Sequence, residues 1–211
     1  DIDIKFLTGW NKYLNSIMQT QSTANQHKNL KCILNNAIRL GIIKSSPYNV
    51  FSIDRGKSKE RDFLTDKELE IFENIKPLSK LESIVKDMYL CAVYTGLRYS
   101  DLTSITPQNF RVENGIIYIS VTMQKTSKPL NVPVSEMFKG KAVPIFKKYE
   151  SGINDLFFHT SNQVANKVLK TLSNRYGINK PLTMHTARHT TAMYLLNCGG
   201  RIELVSSILG H

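Results

Sequence analysis

Residues 182–211 read LTMHTARHTTAMYLLNCGGRIELVSSILGH, and this stretch determines how the rest of the chain is interpreted. Thr183 is a typical helix N-cap. Apolar or small residues follow it at helical spacing, at Ala187, Thr191, Tyr194, Leu195 and Cys198. Gly199 and Gly200 predict the end of this helix, because glycine adopts the left-handed conformation after a helix without steric cost. A second short helix over residues 201–209 is predicted to bury Ile202, Val205 and Leu209.

Two basic side chains stand near the start of the first of these helices. His185 and Arg188 are three residues apart and therefore share one helix face. Together with the helix N-terminus they would bind an anion, most naturally a phosphate. His185 and His189 also have the spacing of a two-histidine metal site. The segment HTARH lacks the glutamate of H-E-x-x-H and a third ligand nearby, so we expect no metal. Taken alone, HxxR is more often a core histidine beside a solvated arginine.

The charge of the chain is positive and unevenly distributed. The net charge is +11. Residues 1–62 carry 10 Lys and Arg against 5 Asp and Glu, residues 63–122 carry 6 against 8, and residues 123–211 carry 12 against 4. Two basic blocks thus flank a mildly acidic middle, as expected of a protein that contacts a polyanion. By charge alone, a soluble protein of high pI is nearly as good an interpretation. Nucleic acid is favoured over membrane, because no strongly amphipathic basic helix is evident.

The composition predicts an intracellular protein. Hydrophobic residues make up 41% of the chain, and no apolar run is long enough to span a bilayer. The start of the chain has no signal-peptide pattern. The cysteines match neither a disulfide framework nor a zinc motif, so we expect reduced, buried thiols at Cys32, Cys91 and Cys198.

The N-terminal part predicts two helices separated by a polar loop over residues 19–25. The first helix, residues 3–18, has an apolar stripe of Leu7, Trp10, Leu14 and Ile17. The second helix runs to Gly41 with apolar Leu30, Ile33, Leu34, Ala37 and Ile38. Its polar face offers His27, Lys28, Lys31 and Arg39. This face is either simply solvated or lies along a phosphate backbone. Because the chain begins abruptly on a helix, we expect that the protein is truncated at its N-terminus.

A charged linker, DRGKSKERD at residues 54–62, predicts a domain boundary. Thr65 and Glu68 then form a capping box, with Leu64 and Leu69 as its hydrophobic staple. A longer helix follows and is predicted to end at Thr95-Gly96. Its inward residues are Leu81, Ile84, Val85, Met88 and Cys91.

The segment TGLRYSD, residues 95–101, places Arg98 on a turn between buried helices. Asp101 lies close enough to pair with a basic group or to cap a short helix. A partly buried guanidinium needs an anionic partner, and Asp101 alone could supply it without any role in function.

Residues 110–134 are the one region that predicts β-structure. Glu113-Asn114-Gly115 is a hairpin signal, and GIIYISVTM is a β-rich strand. A polar turn then leads to an edge strand at residues 130–134. Lys125 and Lys128 lie at the tip of this meander, where lysines are usually only solvated. Helices are predicted again near residues 137–149 and 162–176.

In this order the segments resemble the tyrosine recombinase, or phage integrase, family. The resemblance covers residues 64–211 and rests on TGLRYSD (95–101), QKTSKPLNVPV (124–134), HTARHT (185–190) and LGH (209–211). The N-terminal helices resemble the end of the family's helical core-binding domain. The resemblance implies a mainly α fold with a small antiparallel β-meander. It implies a partial core-binding domain, a linker and a catalytic domain, at residues 1–53, 54–62 and 63–211.

The resemblance also assigns the site. It implies that the catalytic residues are Arg98, Lys125, His185, Arg188 and His211. Asp101 matches the acidic residue that supports the site, and His189 matches a structural position of the helix. Lys128 is the alternative to Lys125, because turn lengths vary. In relatives the nucleophilic tyrosine follows the LGH motif, so here we expect it beyond His211.

The implied function is site-specific DNA recombination or integration through a 3′-phosphotyrosyl intermediate, with a mobile element as the expected source. The implied partners are double-stranded DNA, contacted by Lys28, Lys31 and Lys128, and further copies in a homotetramer. We expect no membrane, metal or cofactor, and a bacterial, cytoplasmic, nucleoid-associated location. A type IB topoisomerase-like enzyme and a non-catalytic DNA-binding protein with this fold are the alternatives.

Overall fold

A computed structural model describes residues 2–56, 60–149 and 157–210 of the chain. The chain forms two compact units, Asp1–Glu60 and Arg61–His211. Within the described ranges, no helix combines the length and the apolar character needed to cross a membrane.

The first unit consists of two helices and a 3₁₀ turn. Helix α1 spans Ile4–Ile17, helix α2 spans Thr20–Arg39, and the 3₁₀ turn spans Pro47–Asn49. Asp3 caps α1, since its carboxylate accepts a hydrogen bond from the Phe6 N–H at 2.7 Å. The small core of the unit is formed by Leu7, Leu34 and Tyr48.

Several predictions for this unit were wrong. The predicted loop over residues 19–25 is the first part of α2, because the segment contains neither glycine nor proline and it buries Thr23 and Ala24. Ile17 and Ile33, predicted in apolar stripes, are 57% and 65% exposed. His27, predicted on the polar face, is fully buried.

The buried His27 is fixed by hydrogen bonds and aromatic contacts. Its Nδ1 lies 2.8 Å from the Tyr48 hydroxyl, and its Nε2 lies 3.2 Å from Asn11 Oδ1. The Trp10 and Phe51 rings lie 4.7 and 5.2 Å from the imidazole, between ring centres. Because Asn11 Oδ1 can only accept, Nε2 carries the hydrogen and Nδ1 accepts from Tyr48. Burial lowers the pKa of His27, so the ring is neutral at pH 7.

The second unit is mainly helical around a three-stranded sheet. Its helices are α3 Asp66–Glu73, α4 Lys80–Thr95, α5 Tyr99–Leu102, α6 Ala142–Tyr149, α7 Asn162–Arg175, α8 Met184–Asn197 and α9 Ile202–Ile208. Short 3₁₀ turns lie at Pro107–Asn109 and Met137–Gly140. The strands are β1 Phe110–Glu113, β2 Ile116–Thr122 and β3 Pro129–Pro133, antiparallel in the order β1-β2-β3. The predicted fold class is confirmed.

Helix α4 is the centre of this unit, because it packs against α6, α7 and α8. Met88, Cys91 and Ala92 of α4 are fully buried. The predicted capping box at Thr65 and Glu68 is present. The predicted hairpin turn has Asn114 and Gly115 at φ 51° and 79°, as a two-residue type I′ turn requires.

Other predictions for the second unit were wrong in detail. Leu81 and Ile202 are 42% and 68% exposed, because each lies in the first turn of its helix, where neighbouring elements cover less of the side chain. Cys198 follows the last turn of α8 and is exposed, as is Cys32 on α2, so of the three thiols only Cys91 is buried. The predicted helix over residues 137–149 is divided. Pro144 lacks an N–H and favours the first turn of a helix, so α6 begins only at residue 142.

We predict that acid destabilises the first unit through His27, the only histidine among residues 1–60. The unfolded ring titrates near pH 6.5, whereas the folded ring has a lower pKa. The unfolded state therefore binds more protons in this window, and the free energy of unfolding falls as the pH falls below about 6.5. Trp10, the only tryptophan of the chain, touches His27 and reports this unit in urea unfolding followed by fluorescence.

The control for this prediction is His27→Gln, which removes the titrating group. This substitution lowers the free energy of unfolding by about 1–3 kcal/mol at pH 7.5, as expected for a disturbed buried hydrogen bond. It also flattens the dependence of the Trp10 transition on pH. A Trp10 transition that is equally pH-dependent in both proteins would contradict the prediction.

Candidate active site

The guanidinium of Arg188 joins three segments of the second unit. Arg188 lies on α8 and is 4% exposed. Its Nη1 donates to the Gly96 carbonyl at 2.9 Å, and its Nη2 donates to the Leu209 carbonyl. These carbonyls stand at the C-terminal ends of α4 and α9, where the helix dipoles are negative. These two hydrogen bonds connect the HTARHT segment of α8 to the TGLR and LGH segments.

Two glycines make this close approach possible. Gly96 has φ 69°, and a Cβ there would lie 2.7 Å from Leu209 Cδ2. Gly210 has φ 66°, and its Cβ would overlap the sulfur of Met123. Both positions combine a left-handed backbone with a tight contact, so each requires glycine.

Arg98 immediately precedes α5 and lies beside a buried carboxylate. Its side chain is 18% exposed, and its Nη1 lies 3.8 Å from Asp101 Oδ2 and 3.2 Å from Met123 Sδ. Asp101 is 1% exposed, and its Oδ1 accepts from the Gln124 N–H at 2.9 Å. Asp101 therefore attaches the turn after β2 to α5, the helix that follows Arg98.

The structure distinguishes the two candidate lysines of that turn. Hydrogen bonds from the Met123 N–H to the Lys128 carbonyl and from the Ser127 N–H to the Met123 carbonyl, at 2.9 and 2.8 Å, close the turn. Lys125 lines the same cavity as Arg98. Lys128 lines another cavity, next to Glu203 of α9.

The first of these cavities has a volume of about 480 Å³ and a basic lining. Its basic lining residues are Arg98, Lys125, His185 and Arg188. Neutral residues complete it, namely Tyr99, Ser100, Asn162, Asn166, Thr183 and Met184. No described lining residue is acidic. Four of the five predicted catalytic residues thus meet in one place, while His211 lies outside the described residues.

The positive charges in the cavity act on one another. The pKa of His185 is lowered, first by desolvation and then by the charges of Arg61, Arg188, Lys125 and Arg98. Burial and the charge of Arg98 lower the pKa of Arg188 to about 10, although Asp101 raises it. At pH 7 the arginines are therefore charged and His185 is neutral. Such a site accepts an anion and offers a neutral imidazole as a proton acceptor beside it.

Three residues close to the cavity were not predicted from the sequence. Arg61 belongs to the predicted linker, and the Leu64 N–H three residues later donates to Thr190 Oγ1 of α8 at 2.9 Å. This bond brings the end of the linker to the helix that carries His185. Met123 and Asn166 reach the site only through tertiary contacts, and no sequence motif marks them.

The described residues contain no group of three or more His, Cys, Asp or Glu side chains that could hold a metal ion. The two histidines at metal spacing, His185 and His189, form an edge-to-face ring contact with centres 4.6 Å apart.

We predict that Arg61→Ala raises the pKa of His185, because it removes a positive charge that disfavours the imidazolium. An NMR titration of the His185 ring measures the shift in pKa. The ring signal is assigned by its absence from the spectrum of His185→Gln. Arg61→Lys is the matched control, since it keeps the charge and leaves the pKa near that of the unsubstituted protein. Inorganic phosphate, bound in the cavity, raises the pKa as well. An unchanged pKa in Arg61→Ala would contradict the assignment of Arg61 to this site.

Comparisons with known proteins agree over both units. A family model described as the phage integrase family matches residues 62–211, and one described as the phage integrase SAM-like domain matches residues 1–55. The chain is 29% identical over 190 residues to tyrosine recombinase XerD of Oceanobacillus iheyensis. That match covers 82% of this chain, and the chain spans 62% of the relative.

Solved structures share the fold. The Tn1549 transposon integrase in complex with circular intermediate DNA superposes with a TM-score of 0.79 at 18% identity, covering 100% of this chain and 78% of the integrase chain. A lambda integrase tetramer bound to a Holliday junction superposes with a TM-score of 0.77 at 18% identity, covering 100% of this chain and 64% of the lambda integrase chain. The fold therefore extends over both units.

Proposed function

Because the chain belongs to the phage integrase family, we propose that it is the DNA-cleaving part of a site-specific tyrosine recombinase or integrase of a mobile element. One observation carries the proposal. Arg98, Lys125, His185 and Arg188 come from separate segments and line one cavity, which no described acidic side chain enters. In the proposal, residues 1–53 are a core-binding domain, residues 54–62 a linker and residues 63–211 a catalytic domain.

The reaction begins when a tyrosine oxygen attacks the phosphorus of a DNA phosphodiester. The P–O5′ bond breaks, and the phosphate remains attached to the tyrosine as a 3′-phosphotyrosyl ester. The five-coordinate transition state carries extra negative charge on its non-bridging oxygens. Arg98 and Arg188 stabilise this charge, since each guanidinium presents several donors in a fixed plane. Asp101 positions Arg98 and the start of the Lys125 turn.

Proton transfers are divided between two side chains. His185, neutral at pH 7, accepts the proton of the tyrosine hydroxyl. Lys125 donates a proton to the departing 5′-oxygen. His211 donates a further hydrogen bond to the phosphate. Attack by a 5′-hydroxyl on the phosphotyrosyl ester then rejoins the DNA and releases the tyrosine, so that religation needs neither ATP nor a metal.

The nucleophilic tyrosine is proposed to follow His211 in the longer protein. The contact of Arg188 with the Leu209 carbonyl supports this, because it holds the first residue of the LGH motif beside the cavity. Tyr99 also lines the cavity, but its hydroxyl donates to the Thr160 carbonyl at 2.9 Å.

The proposed partner is double-stranded DNA. Lys28 and Lys31 lie on the exposed face of α2, and Lys128 follows the turn of the sheet; these three are proposed DNA contacts. A homotetramer on DNA is proposed from the lambda integrase tetramer on its junction, and a bacterial cytoplasmic, nucleoid-associated location from the bacterial relatives.

We predict that residues 1–211 bind duplex DNA without forming a covalent adduct. The protein extended through the tyrosine after LGH forms the adduct on a substrate with a nicked scissile strand, measured by denaturing gel. In the extended protein, Arg98→Ala lowers the rate of adduct formation about 10²–10³-fold, as expected for the loss of one transition-state donor. Lys125→Ala slows it too, and a 5′-thiol leaving group, which needs no protonation, restores it.

Binding variants provide the control for these chemistry variants. Lys28→Ala with Lys31→Ala weakens DNA binding and reduces its dependence on salt, because phosphate contacts release counterions. The rate of adduct formation per bound complex stays unchanged. An adduct formed by residues 1–211 alone, abolished by Tyr99→Phe, would overturn the proposed position of the nucleophile. An extended protein that binds DNA but never forms an adduct would overturn the enzymatic proposal.

A further inference from the structure

Two asparagines of α7 line the cavity and have no role in the reaction described above. Asn162 is the first residue of the helix and is exposed, and Asn166 follows one turn later and is half-buried. Both contribute to the neutral part of the lining, with Ser100 and Thr183. The lining of the cavity therefore combines basic side chains with uncharged polar ones.

The backbone of α8 sets the orientation of both amides. The Met184 N–H donates to Asn166 Oδ1 at 2.8 Å. A backbone N–H can only donate, so the atom that faces it must be the amide oxygen of Asn166. The Nδ2 group of Asn166 then donates to Asn162 Oδ1 at 3.2 Å. The oxygen of Asn162 is thereby engaged by its neighbour.

This relay of hydrogen bonds, from the Met184 N–H through Asn166 to Asn162, leaves the Nδ2 group of Asn162 as a donor at the cavity. Within the described residues, no hydrogen bond uses that group. Its orientation is nevertheless fixed, because the carbonyl side of the same amide is held by Asn166. An oriented, uncharged N–H₂ group beside a basic cavity is suited to an oxygen of the nucleic-acid backbone, a frequent partner of asparagine in protein–DNA complexes.

The size of the cavity leaves room for more than the reacting phosphate. A volume of about 480 Å³ is typical of pockets that hold a whole small ligand, whereas a phosphate group has only five heavy atoms. The cavity thus accommodates the reacting phosphate together with an adjoining sugar and phosphate. The four basic residues would bind the reacting phosphate, and the amide of Asn162 offers a donor to the adjoining part of the DNA backbone.

We propose that Asn162 binds the DNA phosphate adjacent to the scissile phosphate, and that Asn166 is a positioning residue that orients Asn162. The inference rests on the proposed function, since it requires DNA in this cavity. An uncharged donor fits the chemistry of the site. It holds the backbone without adding a charge that would further lower the pKa of His185.

Asn162→Ala is expected to weaken DNA binding about 10-fold, the effect of one lost hydrogen bond to a charged group. The rate of adduct formation by the extended protein at saturating DNA falls much less than in Arg98→Ala, because the scissile phosphate keeps its own donors. Gln163→Ala is the matched control, since Gln163 is an exposed neighbour on α7 that does not line the cavity. If the Asn162→Ala protein binds DNA as tightly as the Gln163→Ala protein, the proposal is overturned.

A double-mutant cycle tests the positioning role of Asn166. Asn166→Ala removes the donor to Asn162 without adding a charge to the cavity, and it should weaken binding. Its effect becomes smaller in the Asn162→Ala background if it acts through Asn162, whereas fully additive effects would overturn the relay. Circular dichroism of each variant verifies folding.

DNA with a single neutral methylphosphonate locates the contact. Neutralising the phosphate adjacent to the scissile position should reduce the effect of Asn162→Ala, while neutralising the scissile phosphate should leave it intact. The opposite pattern would overturn the assignment to the adjacent phosphate. Adduct formation by the unsubstituted extended protein tests the proposed function separately, so the two failures are distinguishable.

Discussion

The second unit depends on a buried arginine whose hydrogen bonds connect parts of the chain that are far apart in sequence. Arg188 holds the carbonyls of Gly96 and Leu209. Glycine at 96 leaves room for the Leu209 side chain, and glycine at 210 leaves room for Met123. Breaking a buried charged network of this kind costs about 3–5 kcal/mol. The same guanidinium lines the basic cavity, so the fold and the proposed chemistry share one side chain. A substitution of Arg188 therefore tests both at once, whereas Arg98, at the cavity edge, separates them more cleanly.

The cavity brings positive charges close together, and their repulsion destabilises the protein when no anion is bound. Arg98 and Arg188 repel each other, and Asp101 is the buried carboxylate that offsets this repulsion. Asp101 does so from below the cavity lining, while its other oxygen attaches the turn of Lys125. The cations thus remain available to an anion from outside. A phosphate that binds here relieves the repulsion and raises the pKa of His185, which prepares the imidazole to hold a proton as negative charge develops.

Much of this arrangement could be predicted from the sequence, because local signals mark it. The capping box at Thr65, the turn at Asn114-Gly115 and the glycine stop at Gly96 each have a local physical cause. The residues that could not be predicted act through tertiary contacts. His27 was assigned to a polar face because its burial depends on Tyr48 and Asn11, both distant in sequence. Asn166 has no motif, since its partner is a backbone N–H of another helix.

The central claim is that Arg98, Lys125, His185 and Arg188 form one phosphate site. A crystal structure of residues 1–211 bound to duplex DNA tests it most directly. The account predicts a single DNA phosphate within hydrogen-bonding distance, about 2.7–3.2 Å, of Arg98, His185 and Arg188, with Lys125 in the same cavity. A DNA backbone that passes elsewhere, with Arg98 paired only to Asp101 and the cavity free of phosphate, would contradict it.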